Sequence, residues 1–117
     1  MERNLKKLIN KVSAFARRRD WEKFHSPKNL SMALAVEVAE IMEHLQWLTE
    51  DESRKPSPAL RKELEDEIGD VQIYLARLAD QLGIDPLSAA HKKIRANAKK
   101  YPVSKSKGNA KKYTELI

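Results

Sequence analysis

The longest apolar pattern in this chain runs through residues 58–82, PALRKELEDEIGDVQIYLARLADQL. Its large apolar residues recur in steps of three and four, which is the period of one face of an α-helix. They are Leu60, Leu64, Ile68, Val71, Leu75, Leu78 and Leu82. A seam of this length suits antiparallel packing against other helices. Ser57 and Pro58 predict where the helix begins, and Gly83 predicts where it ends.

Other segments of the chain also have a helical period, and capping or helix-breaking residues separate them. We predict a first helix ending near residue 19, a second over about residues 27–48 and a fourth over about residues 86–100. Residues 20–26 form a loop rich in aromatic residues, and residues 49–57 are predicted to be a polar loop. Because strand-like alternation is missing from the sequence, the expected fold class is all-α, a four-helix bundle.

Length and composition narrow the classes of protein further. The 117 residues suffice for one domain, which we place at residues 1–100, followed by a basic C-terminal tail at residues 101–117. The chain has no cysteine, which excludes disulfides, thiolate metal sites and a cysteine nucleophile. No segment approaches the roughly 20 apolar residues of a membrane span, and the N-terminus lacks a signal-peptide core. We therefore expect a cytoplasmic protein without a membrane partner.

Two pairs of carboxylates lie in the acidic middle of the chain, where eleven of the seventeen acids fall between residues 37 and 70. Glu37 and Glu40 belong to the second predicted helix, and Glu67 and Asp70 belong to the third. A spacing of three puts each pair on adjacent turns, beside the apolar seam. Four converging carboxylates need a cation, and such oxygen ligands select Mg²⁺ or Mn²⁺. A di-iron site would need Glu-x-x-His pairs, which these two helices lack.

Five motifs span most of the chain, namely RDWEKFHSPKNL (19–30), EVAEIMEHLQWL (37–48), EDEIGDVQIYLARLAD (65–80), KKIRANAKKYP (92–102) and KKYTEL (111–116). Together they resemble the MazG-like superfamily, and particularly its dCTP pyrophosphatase branch. The resemblance covers nearly the whole chain. The two acidic pairs are only moderately specific, whereas their combination with the DWxxFH loop, the QW pair and the late basic segment is highly specific.

This resemblance implies a reaction and assigns residues to it. Members of the family hydrolyse a nucleoside triphosphate between the α and β phosphates, which yields the monophosphate and pyrophosphate. The implied metal ligands for Mg²⁺, or Mn²⁺ in its place, are Glu37, Glu40, Glu67 and Asp70, and the implied catalytic residues are Glu40 and Glu37. The expected substrate is dCTP or a modified dCTP, in a role of nucleotide-pool sanitation.

The resemblance also implies substrate contacts and self-association. Positions expected near the base and sugar are Trp21, His25, Trp47 and Tyr74, and those expected to hold the β and γ phosphates are Lys93, Asn97 and Lys100. The family forms homo-oligomers, so a dimer or a tetramer is expected. The first helix offers no histidine to contact a base, which leaves dATP, dTTP and dUTP open as substrates.

Two interpretations without catalysis remain open at this point. The basic ends of the chain are compatible with a helical bundle that binds nucleic acid through phosphate contacts, although nucleic acid is not an expected partner of an enzyme of this kind. A helical oligomerisation module is the other interpretation, and it leaves the two pairs of carboxylates unexplained. Trp21 and Trp47 could then simply anchor a loop and a helix end.

Overall fold

The structure is a computed structural model that describes residues 4–116, and its regular elements are all helical. The α-helices are α1 (Leu5–Arg18), α2 (Pro27–Leu45), α3 (Glu50–Arg54), α4 (Pro58–Gln81), α5 (Pro86–Lys100) and α6 (Val103–Ser106). Short 3₁₀ turns occupy Glu22–Phe24 and Tyr113–Glu115. The predicted all-α class is confirmed. Within residues 4–116, no helix is both long enough and apolar enough to cross a membrane.

The starts of three long helices are fixed by the local chemistry that the sequence displays. Ser26, Ser57 and Asp85 are the N-cap residues of α2, α4 and α5, and a proline follows each of them. The Ser26 hydroxyl accepts a hydrogen bond from the Asn29 amide at 3.1 Å. Such a cap satisfies an amide that has no partner within the helix, and proline at the first position has no amide to satisfy. These predicted helix starts are confirmed.

The segment predicted as a polar loop, residues 49–57, instead contains the short helix α3. A reciprocal capping box starts it. The Thr49 hydroxyl accepts from the Glu52 amide at 3.1 Å, and the Glu52 carboxylate accepts from the Thr49 amide at 2.8 Å. The Thr-x-x-Glu spacing that signals this box is present in the sequence. Helix α2 correspondingly ends at Leu45, earlier than the predicted residue 48.

Two compact units divide the chain, one extending to Ile84 and the other beginning at Asp85. The second unit contains α5, α6 and the C-terminal 3₁₀ turn. In it, the rings of Tyr101 and Tyr113 meet edge to face at 6.2 Å, and the Lys100 ammonium lies 4.7 Å from the Tyr113 ring centroid. The predicted boundary at residue 100, between a helical domain and a basic C-terminal tail, stays a prediction.

In the first unit, α4 is the central helix, and both α1 and α2 pack against it. Helices α2 and α4 run antiparallel, because His44 near the end of α2 meets Glu63 near the start of α4 at 3.4 Å. Glu37, two turns earlier in α2, meets Asp70, two turns later in α4. This antiparallel register brings the two acidic pairs of the sequence to one level of the helix pair.

Among residues 4–84, the most deeply buried residues are Ala16, Leu30, Ala76, Ala79 and Arg77. Other residues of the predicted α4 seam are half-buried, namely Leu60, Leu64, Val71 and Leu78. Part of the predicted α4 seam remains exposed, since Ile68 is 54% and Leu82 is 51% accessible. A single chain has too few helices to cover every apolar face of α4, so the predicted seam is only partly a core.

Candidate functional site

Helices α2 and α4 bring three carboxylates to one point. Glu37 of α2 and Glu67 and Asp70 of α4 each offer one oxygen, and these oxygens lie within 4.8 Å of one another. Glu37 and Glu67 are half-buried, whereas Asp70 is exposed. The i, i+3 spacing aims the α4 pair at α2, and the antiparallel packing supplies the α2 carboxylate.

Glu40, on the next turn of α2, lies beside this group but is not one of the three carboxylates whose oxygens all meet within 4.8 Å. Its half-buried carboxyl group lies within hydrogen-bonding reach of both Glu37 and Glu67. Two carboxyl groups can hydrogen-bond to each other only when one carries a proton, because an ionised carboxylate is an acceptor only. We call Glu37, Glu40, Glu67 and Asp70 the carboxylate cluster.

The cluster resists full ionisation. The pKa of Glu37 rises from 4.5 to about 7, chiefly because burial disfavours its charge, and further because it can donate to Glu40 and faces other carboxylates. The pKa of Glu67 is also raised, first by the hydrogen bond with Glu40 and then by burial. Crowded carboxylates compete for protons or for a cation.

A hard divalent cation fits the donor atoms present. Among residues 4–116, the buried oxygens Glu37 Oε2 and Glu67 Oε2 have no hydrogen-bond partner. A buried acceptor without a partner is costly, and two such acceptors on facing helices indicate a ligand between them. All four side chains of the cluster supply oxygen, the donor that hard divalent cations prefer.

His44 also lies beside the cluster, although sequence reasoning assigned it no role. Its Nε2 is 3.7 Å from Glu67 Oε1, and its Nδ1 is 3.4 Å from Glu63 Oε2. His44 opposes the rise in the pKa of Glu67. The sequence feature that could have placed His44 at the site is its i+4 spacing from Glu40, which puts both side chains on one flank of α2.

Trp21 and His25 are neighbours in the loop between α1 and α2. Their ring centroids are 6.5 Å apart in an edge-to-face arrangement. Trp21 also meets Phe15 of α1 at 5.8 Å, and its amide donates to the Ala16 carbonyl at 3.0 Å. The Trp21 side chain is nevertheless 44% exposed, so it is anchored and still open to a ligand.

His25 rests on a buried arginine that the sequence did not mark as functional. Arg77 of α4 is only 2% exposed, and its Nε donates to His25 Nδ1 at 3.2 Å. Burial, and then the Arg77 charge, lower the pKa of His25, while Glu22 opposes the change. The two residues are 52 positions apart, so local spacing carried no signal for the contact.

The remaining predicted nucleotide contacts are spread along the chain. Tyr74 is half-buried on α4, one turn beyond Asp70. Trp47 lies in the turn after α2 and is 86% exposed. Their contact with base or sugar stays a prediction.

The predicted phosphate-binding residues all belong to α5 of the second unit. Lys93, Asn97 and Lys100 are exposed, and their i, i+4, i+7 spacing puts them on one face of α5. The Asn97 carbonyl accepts the Tyr101 amide at 2.8 Å at the end of the helix. Their role in holding phosphates stays a prediction.

Comparison with known proteins matches this chain to enzymes. The dCTP pyrophosphatase 1 of Bos taurus is 43% identical over 104 residues, which cover 87% of this chain and 62% of the relative. The Homo sapiens dCTP pyrophosphatase 1 is 42% identical over 104 residues, with coverages of 87% and 61%. The chain thus spans about three fifths of the length of these curated relatives.

A solved structure and a family model agree with these relatives. A pyrophosphatase from Archaeoglobus fulgidus superimposes with a TM-score of 0.80 at 37% identity, over 87% of this chain and 95% of that one. The model of the MazG-like family matches residues 32–116, which include the whole carboxylate cluster and α5. Because this match covers well over half of its residues, the chain belongs to the MazG-like family.

Proposed function

We propose that this protein is a Mg²⁺-dependent nucleoside triphosphate pyrophosphohydrolase. The observation that carries the proposal is the carboxylate cluster, in which two buried oxygens lack partners. Relatives named dCTP pyrophosphatase and pyrophosphatase support it. The proposed reaction converts the triphosphate into the monophosphate and pyrophosphate.

We assign metal binding and proton transfer to different residues of the carboxylate cluster. A divalent cation bound there would neutralise negative charge on the phosphate oxygens. Glu37, Glu67 and Asp70 would hold that cation, and Glu40 would be a further ligand. Glu40, one turn from Glu37 on the same helix, is then ionised and accepts the proton of the attacking water. Water bonds to the α phosphorus, the bond to the α–β bridging oxygen breaks, and pyrophosphate leaves with the electron pair.

The proposed substrate is dCTP or a modified dCTP, in line with the name of the mammalian relatives. Base and sugar lie against the aromatic side chains, namely Trp21, His25, Trp47 and Tyr74. The phosphates are held by Lys93, Asn97 and Lys100, whose charged and amide groups suit phosphate oxygens. A cytoplasmic role in nucleotide-pool sanitation is part of this proposal.

A homo-oligomer, either a dimer or a tetramer, is also part of the proposal. Large apolar side chains stay exposed on the single chain, including Met32 at 60%, Val36 at 57% and Met42 at 61% on α2, and Ile73 at 41% on α4. Exposed apolar surface of this extent indicates contact with another protein surface. Light scattering coupled to size-exclusion chromatography at micromolar concentration should give an oligomer, and a stable monomer would contradict this part.

The reaction is tested by pyrophosphate release from the four dNTPs, the NTPs and 5-methyl-dCTP, with Mg²⁺ or with EDTA. We expect Mg²⁺-dependent monophosphate and pyrophosphate, lost in Glu40→Gln and retained in Glu43→Gln. Glu43 is a matched control, because it is an exposed glutamate on the same helix. No turnover by folded, Mg²⁺-loaded protein would contradict the proposal and favour nucleic-acid binding by the basic helix α5.

A further inference from the structure

We infer that Arg77 is a positioning residue that holds His25 as a neutral imidazole with its proton on Nε2, so that His25 offers the nucleotide a hydrogen-bond donor. The claim about the imidazole stands on the geometry alone. Its consequence for the nucleotide rests on the proposed function.

The position of the imidazole proton follows from the contact between the two side chains. Arg77 Nε lies 3.2 Å from His25 Nδ1. A guanidinium keeps all its protons in proteins and has no acceptor, so Nε can only donate. His25 Nδ1 must therefore present its lone pair, and the single proton of the neutral ring resides on Nε2.

Arg77 is itself held on several sides, which fixes the direction of its Nε–H bond. Its Nη1 donates to Ser13 Oγ of α1 at 3.4 Å and to Asp80 Oδ2 at 3.3 Å. The Gln81 side-chain amide also borders the guanidinium, and with its oxygen and nitrogen interchanged its oxygen accepts a hydrogen bond from Nη2 at 3.0 Å. Arg77 thereby joins α1, α4 and the loop that carries His25. A buried side chain held in this way cannot swing aside to accommodate a second tautomer.

Of the two charges that act on His25, the Arg77 guanidinium favours the neutral ring and the Glu22 carboxylate opposes it. Arg77 faces it from α4, and Glu22 faces it from its own loop. Asp80 is an ion-pair partner of Arg77 at 3.3 Å. Protonation of Nδ1 would place two donors against each other and end the hydrogen bond with Arg77. Burial and the guanidinium together lower the pKa of His25 below its ordinary value of 6.5.

A neutral His25 with its proton on Nε2 recognises an acceptor. Trp21, whose ring centroid lies 6.5 Å away, supplies an aromatic surface beside it. The pair suits a nucleoside that rests on the indole and places a carbonyl or sugar oxygen at the Nε2–H group. Arg77, although buried, would then determine substrate affinity without touching the nucleotide.

The test of the imidazole claim uses ligand-free protein and no enzymatic activity. Long-range ¹H–¹⁵N NMR on protein with ¹⁵N-labelled histidine shows which ring nitrogen bears the proton, and His25→Gln identifies the His25 signals. We expect a protonated Nε2, an unprotonated Nδ1 and titration below the ordinary range. A proton on Nδ1 near pH 7.5, or an even mixture of tautomers, overturns the inference.

Variants of Arg77 test whether this residue causes the effect. In Arg77→Met the tautomers should mix and the pKa of His25 should return towards 6.5. Arg77→Lys keeps the charge, so the pKa of His25 should stay lowered, and its ammonium can still donate to Nδ1. An unchanged tautomer in folded Arg77→Met, or a pKa that returns to 6.5 in folded Arg77→Lys, overturns the role of Arg77.

The nucleotide consequence is measured separately by steady-state kinetics with dCTP. Arg77→Met should raise KM about tenfold and lower kcat far less, because about one neutral hydrogen bond to substrate is lost. His25→Gln, which keeps an outward N–H donor, should retain more affinity than His25→Met. Equal KM values for these two variants would contradict a donor role. If the NMR result holds but no nucleotide is hydrolysed, the proposed function fails and the imidazole claim stands.

Discussion

Replacing Glu37 by Gln should stabilise the protein when Mg²⁺ is absent and remove the stabilisation that Mg²⁺ provides. At pH 8 the metal-free protein must hold an ionised Glu37 in a partly buried group of carboxylates. The pKa of Glu37 in the folded state is raised from 4.5 to about 7. Glutamine keeps the size of the side chain and removes the charge, so it relieves the repulsion and also deletes a ligand.

The size of the effect follows from that pKa. A difference of about 2.5 in pKa between unfolded and folded states corresponds to roughly 3 kcal/mol, and solvent screening of a half-buried carboxylate reduces it to roughly 1–2 kcal/mol. The folded state binds this proton more tightly than the unfolded state. The contribution to stability is therefore fully present below about pH 4.5 and lost as the pH rises through about 7.

Thermal unfolding followed by circular dichroism measures this prediction in EDTA at pH 5 and pH 8, and in Mg²⁺ at pH 8. In EDTA at pH 8, Glu37→Gln should melt roughly 5–10 °C above the unmodified protein, and at pH 5 the gap should narrow. Mg²⁺ should stabilise the unmodified protein and Glu43→Gln far more than Glu37→Gln. A lower melting temperature for Glu37→Gln in EDTA at pH 8, or equal stabilisation by Mg²⁺, would refute the reasoning.

Three further substitutions test other parts of the molecule. Glu40→Gln should lower the rate of pyrophosphate release by about 10²-fold or more while circular dichroism shows an unchanged helix content, and full activity would exclude Glu40 as proton acceptor. Thr49→Ala removes the capping box of α3 and should cost about 1 kcal/mol in urea unfolding, so an unchanged midpoint would argue against a stabilising cap. Leu30→Ala empties a site that is only 1% exposed and should cost about 2–5 kcal/mol in the same assay, and a loss below about 1 kcal/mol would show that the core is not packed there.

The parts of the fold that the sequence predicted are those governed by nearby residues. Ser26, Ser57 and Asp85 cap their helices through amides two or three positions away. Burial was harder to predict, because it depends on which surfaces meet. Ile68 continues the helical seam in sequence and yet is 54% exposed in the chain. Helix α3 was missed because a highly charged segment has no apolar period, although Thr49 carried a capping signal.

The same distinction applies to the candidate site. The carboxylate cluster could be predicted from the sequence, because Glu67 and Asp70 lie three residues apart on one helix. Glu37 and Glu40 have the same spacing on α2. Arg77 could not be predicted, since its contacts with Ser13 and His25 join residues 64 and 52 positions apart. An arginine within an apolar helical pattern is usually a surface residue, so its burial becomes evident only once three segments are assembled.

The scarcity of deeply buried large side chains links stability to protein concentration. Among residues 4–84, Leu30 is the one large apolar side chain that is almost fully buried, and the others are half-buried or exposed. A single copy therefore opposes chain entropy with incompletely buried apolar surface. In the oligomer proposed above, copies share these exposed helix faces, so folding obeys mass action. The melting temperature would then rise with protein concentration, and dilution would destabilise the protein. The abundance of the chain would then help to set the fraction that is folded.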